Sequence, residues 1–365
     1  MRWSLLSLLL MITSCSLWKS SSSRSPSEEL THLRQTHDLP ALAAALSLDN
    51  QMLFLEAQGF RKIDSPVEVT VQDKFHLGSC TKAMTATLVA KFIERGHFDW
   101  TSKVSSLLPH IKFHDSFKDL TIEDLLSHFG GLSTNPTKDK IPSLKKLKVT
   151  SARREVARIY LSDKPEFIPQ EFHYSNVGYI ILGHVLENLS KKSWEELISA
   201  ELFKPLGMKS CGFGVTSKGS ESTPSQPWGH SRVDQKMSPL QNDNYPFYGP
   251  SGTVHCNLLD WQKFLSLHVQ GFNGDSTFLK PDTFKKLHST PAPSETYTFG
   301  GWLRLERRWA QGPAFTHSGT NTLNYARTWI APKRKAILMV VTNAHDESIH
   351  TTIDEMFSAL IHHFF

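Results

Sequence analysis

The sequence predicts an α/β (α+β) fold: one antiparallel sheet formed from the N- and C-terminal segments, flanked by helices, with a mostly helical region inserted between them. Three observations predict it. Residues 41–48 and 52–57 are apolar runs on either side of Asp49-Asn50, the pattern of a tight hairpin. Through the middle of the chain apolar residues recur at helical spacing, as at Met84, Leu88 and Phe92. The last third returns to short strand-like runs at 299–305, 314–316, 325–330 and 336–342. Strands at both ends with helices between them place the two ends in one sheet.

Taken in order, residues 28–36 read as a helix that Asp38-Leu39-Pro40 ends, and the hairpin follows. Residues 81–95 form a strong helix stopped by Gly96, and 120–128 a short one before Gly130-Gly131. Residues 135–158 carry Lys138, Lys140, Lys145, Lys146, Lys148, Arg153, Arg154 and Arg158, which reads as a solvated face or as a patch facing an anionic polymer. Residues 177–189 and 193–202 are further helices, 218–244 a long polar loop, and 258–268 an amphipathic helix. Pro332-Lys333-Arg334-Lys335 joins the last two strands, and 346–363 closes the chain as a helix.

Composition limits the function classes. With 39% hydrophobic residues, 9 Trp and 22 Phe among 365 residues, the chain has the apolar surface for a large core. Lys and Arg total 40 against 35 Asp and Glu, and this balance does not call for nucleic acid. The 18 histidines include no His-Glu-x-x-His, and His110 with His114 lacks a firm helix, so no metal and no other cofactor is expected.

The N-terminus reads as a targeting segment. Met1-Arg2, the apolar run 3–12 and Thr13-Ser14-Cys15 have the layout of an export signal, too short to span a bilayer. Residues 12–15 resemble the bacterial lipobox, which implies a signal at 1–14 cut before a lipidated Cys15; cleavage as an ordinary signal peptide is the alternative. The Ser-rich stretch 15–27 is then a tether, and 28–365 the folded domain with its helical insertion at about 105–255. The expected location is the bacterial cell envelope, anchored to a membrane and facing the periplasm or the exterior. With Cys15 consumed, Cys80, Cys211 and Cys256 allow at most one disulfide, Cys211 with Cys256 being one pairing.

The chemistry concentrates in three short motifs. In His76-Leu77-Gly78-Ser79-Cys80-Thr81-Lys82, Ser79 and Lys82 lie one helical turn apart and share a face. A serine needs a neighbour that takes its proton, and a lysine withdrawn from water serves as that base. Tyr174-Ser175-Asn176 precedes an apolar helix and offers a phenol for proton transfer and an amide for a substrate's polar groups, or a packed tyrosine with a helix cap. Phe315-Thr316-His317-Ser318-Gly319-Thr320 follows an expected strand and offers backbone to line an acyl site. Cys80 points to another side of its helix and reads as packing.

In this order and spacing the three motifs resemble the serine β-lactamase and penicillin-binding protein superfamily, and most of all its class C β-lactamase-related branch with D,D-peptidases and esterases. Residues 120–132, Lys204-Pro205-Leu206-Gly207-Met208 and Gly249-Pro250-Ser251-Gly252-Thr253-Val254-His255 are similar to family stretches, and the likeness runs from about residue 28 to the C-terminus. The resemblance implies Ser79 as acylated nucleophile, Lys82 as its activator, and Tyr174 as general base and later acid. It implies Asn176, His317, Ser318 and Gly319 as substrate contacts, and the backbone N–H groups of Ser79 and Thr320 as oxyanion hole. Where many members have Lys-Thr-Gly, this chain has His317-Ser318-Gly319. A histidine of ordinary pKa, ~6.5, is only partly charged at neutral pH.

The expected function is therefore a serine hydrolase that acts through an acyl-enzyme on a small-molecule ester or a peptidoglycan-derived D-amino-acid peptide. The alternatives are a class C-like β-lactamase and a non-catalytic envelope protein that binds muropeptide or a protein partner.

Overall fold

The structure is a computed structural model and describes residues 24–217, 223–292 and 294–365. The expected export signal, Cys15 and the tether up to residue 23 lie outside the described residues.

Helix α1 (Pro26–Thr36) starts with a capping box, in which the Ser25 side chain accepts from the Glu28 N–H and the Glu28 carboxylate accepts from the Ser25 N–H. Strands β1 (Ala41–Leu48) and β2 (Gln51–Gly59) form the hairpin, with Asp49 at φ 48° and Asn50 at φ 64°, the left-handed pair a two-residue turn needs. After β3 (Phe75–His76) come α2 (Thr81–Glu94), α3 (Ile122–Ser127), α4 (Val149–Ser162) and α5 (Asn176–Ser190). Then follow β4 (Gly212–Phe213), β5 (Gly229–Val233), β6 (Lys236–Leu240), β7 (Val254–Cys256), α6 (Leu258–Asn273) and α7 (Pro281–Leu287). The chain closes with β8 (Leu303–Arg307), β9 (Gly312–Thr320), β10 (Tyr325–Ala331), β11 (Ala336–Thr342), β12 (Ala344–His345) and α8 (Ile349–Phe364).

The main sheet is antiparallel and ordered β2-β1-β11-β10-β9-β8, so the N-terminal hairpin docks on the C-terminal strands, as the sequence predicts. Ala44 faces Val340 across the β1–β11 junction. Both faces are covered. Leu42, Ala44 and Leu46 pack with α1 and α8, while Ala41, Ala43 and Ala45 join the core that holds α2, α5 and α6. This alternation is the period of two that a sheet buried on both faces imposes.

Three expectations are corrected. The stretch 218–244 is not all loop, because β5 and β6 pair as a hairpin. Its turn residues Asp234 and Gln235 take φ 47° and 63°, a primed turn built without the Asn-Gly or Asp-Gly pair that announces one. The strand expected at 314–316 runs from Gly312 to Thr320, so the His317-Ser318-Gly319 motif lies inside β9 and not beyond it. Arg153, counted with the solvated basic residues, is fully buried in α4. It pairs with Glu187 of α5 and with Glu195, and donates to the carbonyls of Phe247 (3.2 Å) and Pro246 (2.9 Å). Its partners are distant in sequence, so no local pattern marks it. Cys211 and Cys256 are disulfide-bonded, tying the chain just before β4 to the end of β7.

Candidate active site

Ser79 is placed by a sharp turn. β3 leads through Leu77 into the single turn Gly78–Cys80, and α2 follows without a break. Gly78 has φ +49°, and a Cβ there would stand 2.3 Å from the Thr320 nitrogen. A Cβ on Gly319 would stand 2.1 Å from the Leu77 oxygen and 2.5 Å from the Ser79 nitrogen. Only glycine lets the two backbones approach this closely. The approach brings the backbone at Thr320 close to the turn that carries Ser79.

Lys82 lies one turn along α2 and has no solvent exposure. Its Nζ is 3.2 Å from Ser79 Oγ, 2.6 Å from Asn176 Oδ1 and 2.8 Å from the Ser251 carbonyl oxygen. Burial holds its pKa well below the usual lysine range. A neutral amine has two hydrogens and one lone pair. The two carbonyl oxygens take the hydrogens, and the lone pair is left for the Ser79 hydroxyl. Asn176 donates in turn through Nδ2 to Asn135 Oδ1 at 2.8 Å, so both ends of its amide are engaged.

The Tyr174 ring centre is 4.7 Å from Lys82 Nζ. Burial pushes the Tyr174 phenol above its ordinary pKa, and a hydrogen bond with Ser79 only partly offsets this. The phenol is therefore protonated, a proton donor in this arrangement.

His317 projects from β9 among Tyr174, Tyr297 and His128. His317 Nδ1 is 2.6 Å from the Ser318 carbonyl oxygen, which only accepts, so Nδ1 carries the proton. His128 Nδ1 accepts from the Ser175 N–H at 3.1 Å, so its proton sits on Nε2 and points at the Tyr297 hydroxyl, 3.1 Å away. Tyr297 then donates to His317 Nε2 at 3.4 Å. The chain Ser175, His128, Tyr297, His317, Ser318 is complete with both rings neutral. Burial, and then the nearby Lys82, push His317 down to about 3, which corrects the expectation of a partly charged ring at neutral pH. The Ser318 hydroxyl hydrogen-bonds toward Tyr325 on the other face of the sheet, so this residue presents backbone to the site.

His128 and Tyr297 were not singled out in the sequence. His128 ends α3 in the left-handed conformation at φ 69°, at the end of the short helix expected over 120–128, and nothing local marks Tyr297. Cys80 is buried with its Sγ 3.5 Å from the His317 carbonyl oxygen, and burial raises its pKa, so its thiol is inert packing. Among the described residues, no group of three or more His, Cys, Asp or Glu is placed to hold a metal ion.

The sequence pattern of the Beta-lactamase family matches residues 27–360. The chain belongs to the beta-lactamase family. This family member is 24% identical to protein flp of Staphylococcus aureus over 340 residues, which cover 92% of this chain and 66% of flp. The chain thus spans just under two thirds of the length of that relative. It is 24% identical to penicillin-binding protein 4 of Amycolatopsis lactamdurans over 337 residues, 87% of this chain and 84% of that one. The class C β-lactamase of Rhodobacter sphaeroides superposes with a TM-score of 0.74 at 17% identity, covering 93% of this chain and 99% of that one, a likeness of fold.

Proposed function

We propose that this beta-lactamase family member is a serine hydrolase that forms an acyl-enzyme on Ser79, with an ester or a D-amino-acid peptide of the peptidoglycan type as substrate. The observation that carries the reading is the 3.2 Å contact between Ser79 Oγ and a buried Lys82 amine whose hydrogens are already taken up. Lys82 accepts the Ser79 proton as Oγ attacks the acyl carbon. The N–H groups of Ser79 and Thr320 receive the oxyanion. The protonated Tyr174 phenol donates to the leaving group and regains its proton from Lys82, so no net charge moves. Water then cleaves the acyl-enzyme by the same steps in reverse. The resemblance alone makes Tyr174 the base; the buried neutral amine supports Lys82 in that role instead. A neutral His317 favours substrates with no carboxylate at that end of the site over β-lactams, which carry one.

A fluorophosphonate probe, followed by short acyl esters, D-Ala-D-Ala peptides and a chromogenic cephalosporin, tests the reading against Ser79→Ala. Labelling and turnover should both vanish in that variant. A loss smaller than ~10-fold, about 1.4 kcal/mol of barrier, overturns Ser79 as nucleophile. Absence of any labelling in the unaltered protein favours a muropeptide-binding protein. We also propose, from the lipobox-like residues 12–15, that Cys15 carries a lipid anchor to a membrane of the cell envelope. Cys15→Ala should move the protein to the soluble fraction, and unchanged membrane retention overturns the anchor.

A further inference from the structure

Asp243 lies between β6 and β7, in a stretch the sequence marks only as polar loop. Its carboxylate is nonetheless largely buried, with 6% side-chain exposure. One contact reaches His76 of β3, whose Nε2 is 3.0 Å from Oδ1 and 3.1 Å from Oδ2. The other contact reaches Asn321, whose Nδ2 donates to Oδ1 at 2.9 Å. The proton on His76 is fixed by a second partner: Nδ1 accepts from the Gly78 N–H at 3.1 Å, so Nε2 is the donor to Asp243. Asn321 is fixed likewise, because its Oδ1 accepts from the Leu323 N–H (3.2 Å), the Asn324 N–H (3.0 Å) and Asn324 Nδ2 (3.1 Å). The neighbouring Asn244 donates to the Gly252 oxygen at 3.0 Å, holding this segment against the stretch whose Ser251 carbonyl binds Lys82.

The two partners of Asp243 stand beside the two oxyanion-hole donors. Gly78, gripped by His76, precedes Ser79; Asn321 follows Thr320. We infer that Asp243 is the positioning residue of the oxyanion hole: one buried carboxylate holds the Ser79 turn and the end of β9 at the separation at which both N–H groups meet the same oxygen. This rests on the serine-hydrolase reading above and assigns a role to Asp243 and Asn321, which lie outside the three motifs, and to His76 at the head of the first. The logic is that of a strut. Gly78 and Gly319 allow the two backbones to close together, and the Asp243 bridge stops them from sliding past each other. A displacement of about 1 Å in such a donor costs up to ~100-fold in rate.

The test uses two isosteric variants of the full chain. Asp243→Leu keeps the side-chain shape and removes both acceptor oxygens, so His76 Nε2 and Asn321 Nδ2 lose the partner they share, and His76 cannot adapt by moving its proton, because Nδ1 is committed to Gly78. Asn321→Asp keeps the acceptor that serves the 321–324 turn and replaces only the donor to Asp243. Each variant should lose about 10- to 100-fold in kcat on a short-chain ester, with KM within about twofold, since the hole binds the transition state and not the ground state. Each should label with a fluorophosphonate at a rate lowered by the same factor, yet to the same final extent, because Ser79 and Lys82 are intact. The double variant should lose little more than either alone. If one variant fails to fold, the other decides. Labelling and kcat within twofold of the unaltered protein overturn the inference, and so does a change in KM without a change in kcat. Lack of labelling in the unaltered protein overturns the serine-hydrolase reading instead, so the two failures are told apart.

Discussion

The Lys82 amine lies closer to Asn176, at 2.6 Å from Oδ1, than to Ser79, at 3.2 Å from Oγ. Asn176 therefore orients the lysine. The consequence is a pH dependence with a definite sign. A protonated Lys82 has no lone pair, so kcat/KM on a neutral ester falls as pH drops through the Lys82 pKa and is flat above it. Burial holds that pKa well below the lysine range, so the acid limb lies well below the pH at which a free lysine titrates. Lys82→Arg fixes the charge and should cost at least about 10³-fold across the whole profile. A loss below tenfold in that variant removes Lys82 as the base.

Asn176→Asp tests the same relationship from its other end. A carboxylate at the Oδ1 position favours the charged amine, which raises the Lys82 pKa. The acid limb of the kcat/KM profile should move up by roughly 1 unit or more. Activity should be reduced near neutrality and recover at higher pH. A uniform loss at every pH would assign Asn176 to the substrate alone.

Gly319→Ala tests the approach of β9 to the Ser79 turn. The added Cβ meets backbone atoms at 2.1 Å and 2.5 Å, and neither belongs to a flexible side chain that could swing away. The strand must move, so stability should fall by about 1–3 kcal/mol in urea unfolding. Ester turnover should fall by more than that loss of folded protein accounts for. Normal turnover in the folded fraction would mean that the spacing of the two backbones is not critical.

Arg153 supplies a prediction about stability. It is buried with Glu187, and removing the guanidinium leaves that carboxylate without its charged partner. Arg153→Met should cost about 3–5 kcal/mol, and adding Glu187→Gln should restore part of it. Activity should suffer too, because Arg153 holds the Pro246 and Phe247 carbonyls just ahead of Ser251, which binds Lys82. Additive losses in the double variant would contradict the pairing.

What was legible in the sequence was local. The β1–β2 hairpin, helix α2 and the Ser79–Lys82 spacing each depend on neighbours within a few residues, and each is found where the sequence puts it. What was not legible depends on partners far along the chain. Arg153 needs Glu187 and Glu195 before burial makes sense, and the β5–β6 turn uses Asp234-Gln235 where glycine is the usual signal. His317 shows the limit most clearly. Its residue type and strand were readable, but its charge state is set by burial and by Lys82, which lies far away in the chain.

His317→Lys separates the neutral-substrate reading from the β-lactamase one. From the sequence alone, His317 would titrate near its ordinary value and activity on carboxylate-bearing substrates would fade as pH rises through it. Buried as it is, the ring titrates at about 3, so it contributes no limb between roughly pH 5 and 9. The unaltered protein should therefore prefer neutral esters to cephalosporins throughout that range. An ammonium in place of the ring supplies the missing charge, although the longer side chain disturbs the hydrogen bond from Tyr297. The ratio of kcat/KM for a cephalosporin or D-Ala-D-Ala peptide to that for a neutral ester should rise about tenfold or more, and a general loss of folded protein cancels in the ratio. A second sign accompanies it. A like charge near Lys82 disfavours the protonated amine, so the acid limb on the neutral ester should move to lower pH. Tyr297→Phe is the control, since it breaks the chain to His128 without adding charge, and it should leave the ratio unchanged. If the unaltered protein already cleaves cephalosporins as efficiently as esters across this range, the neutral His317 is not what selects the substrate, and the charge that holds a carboxylate must come from another side chain.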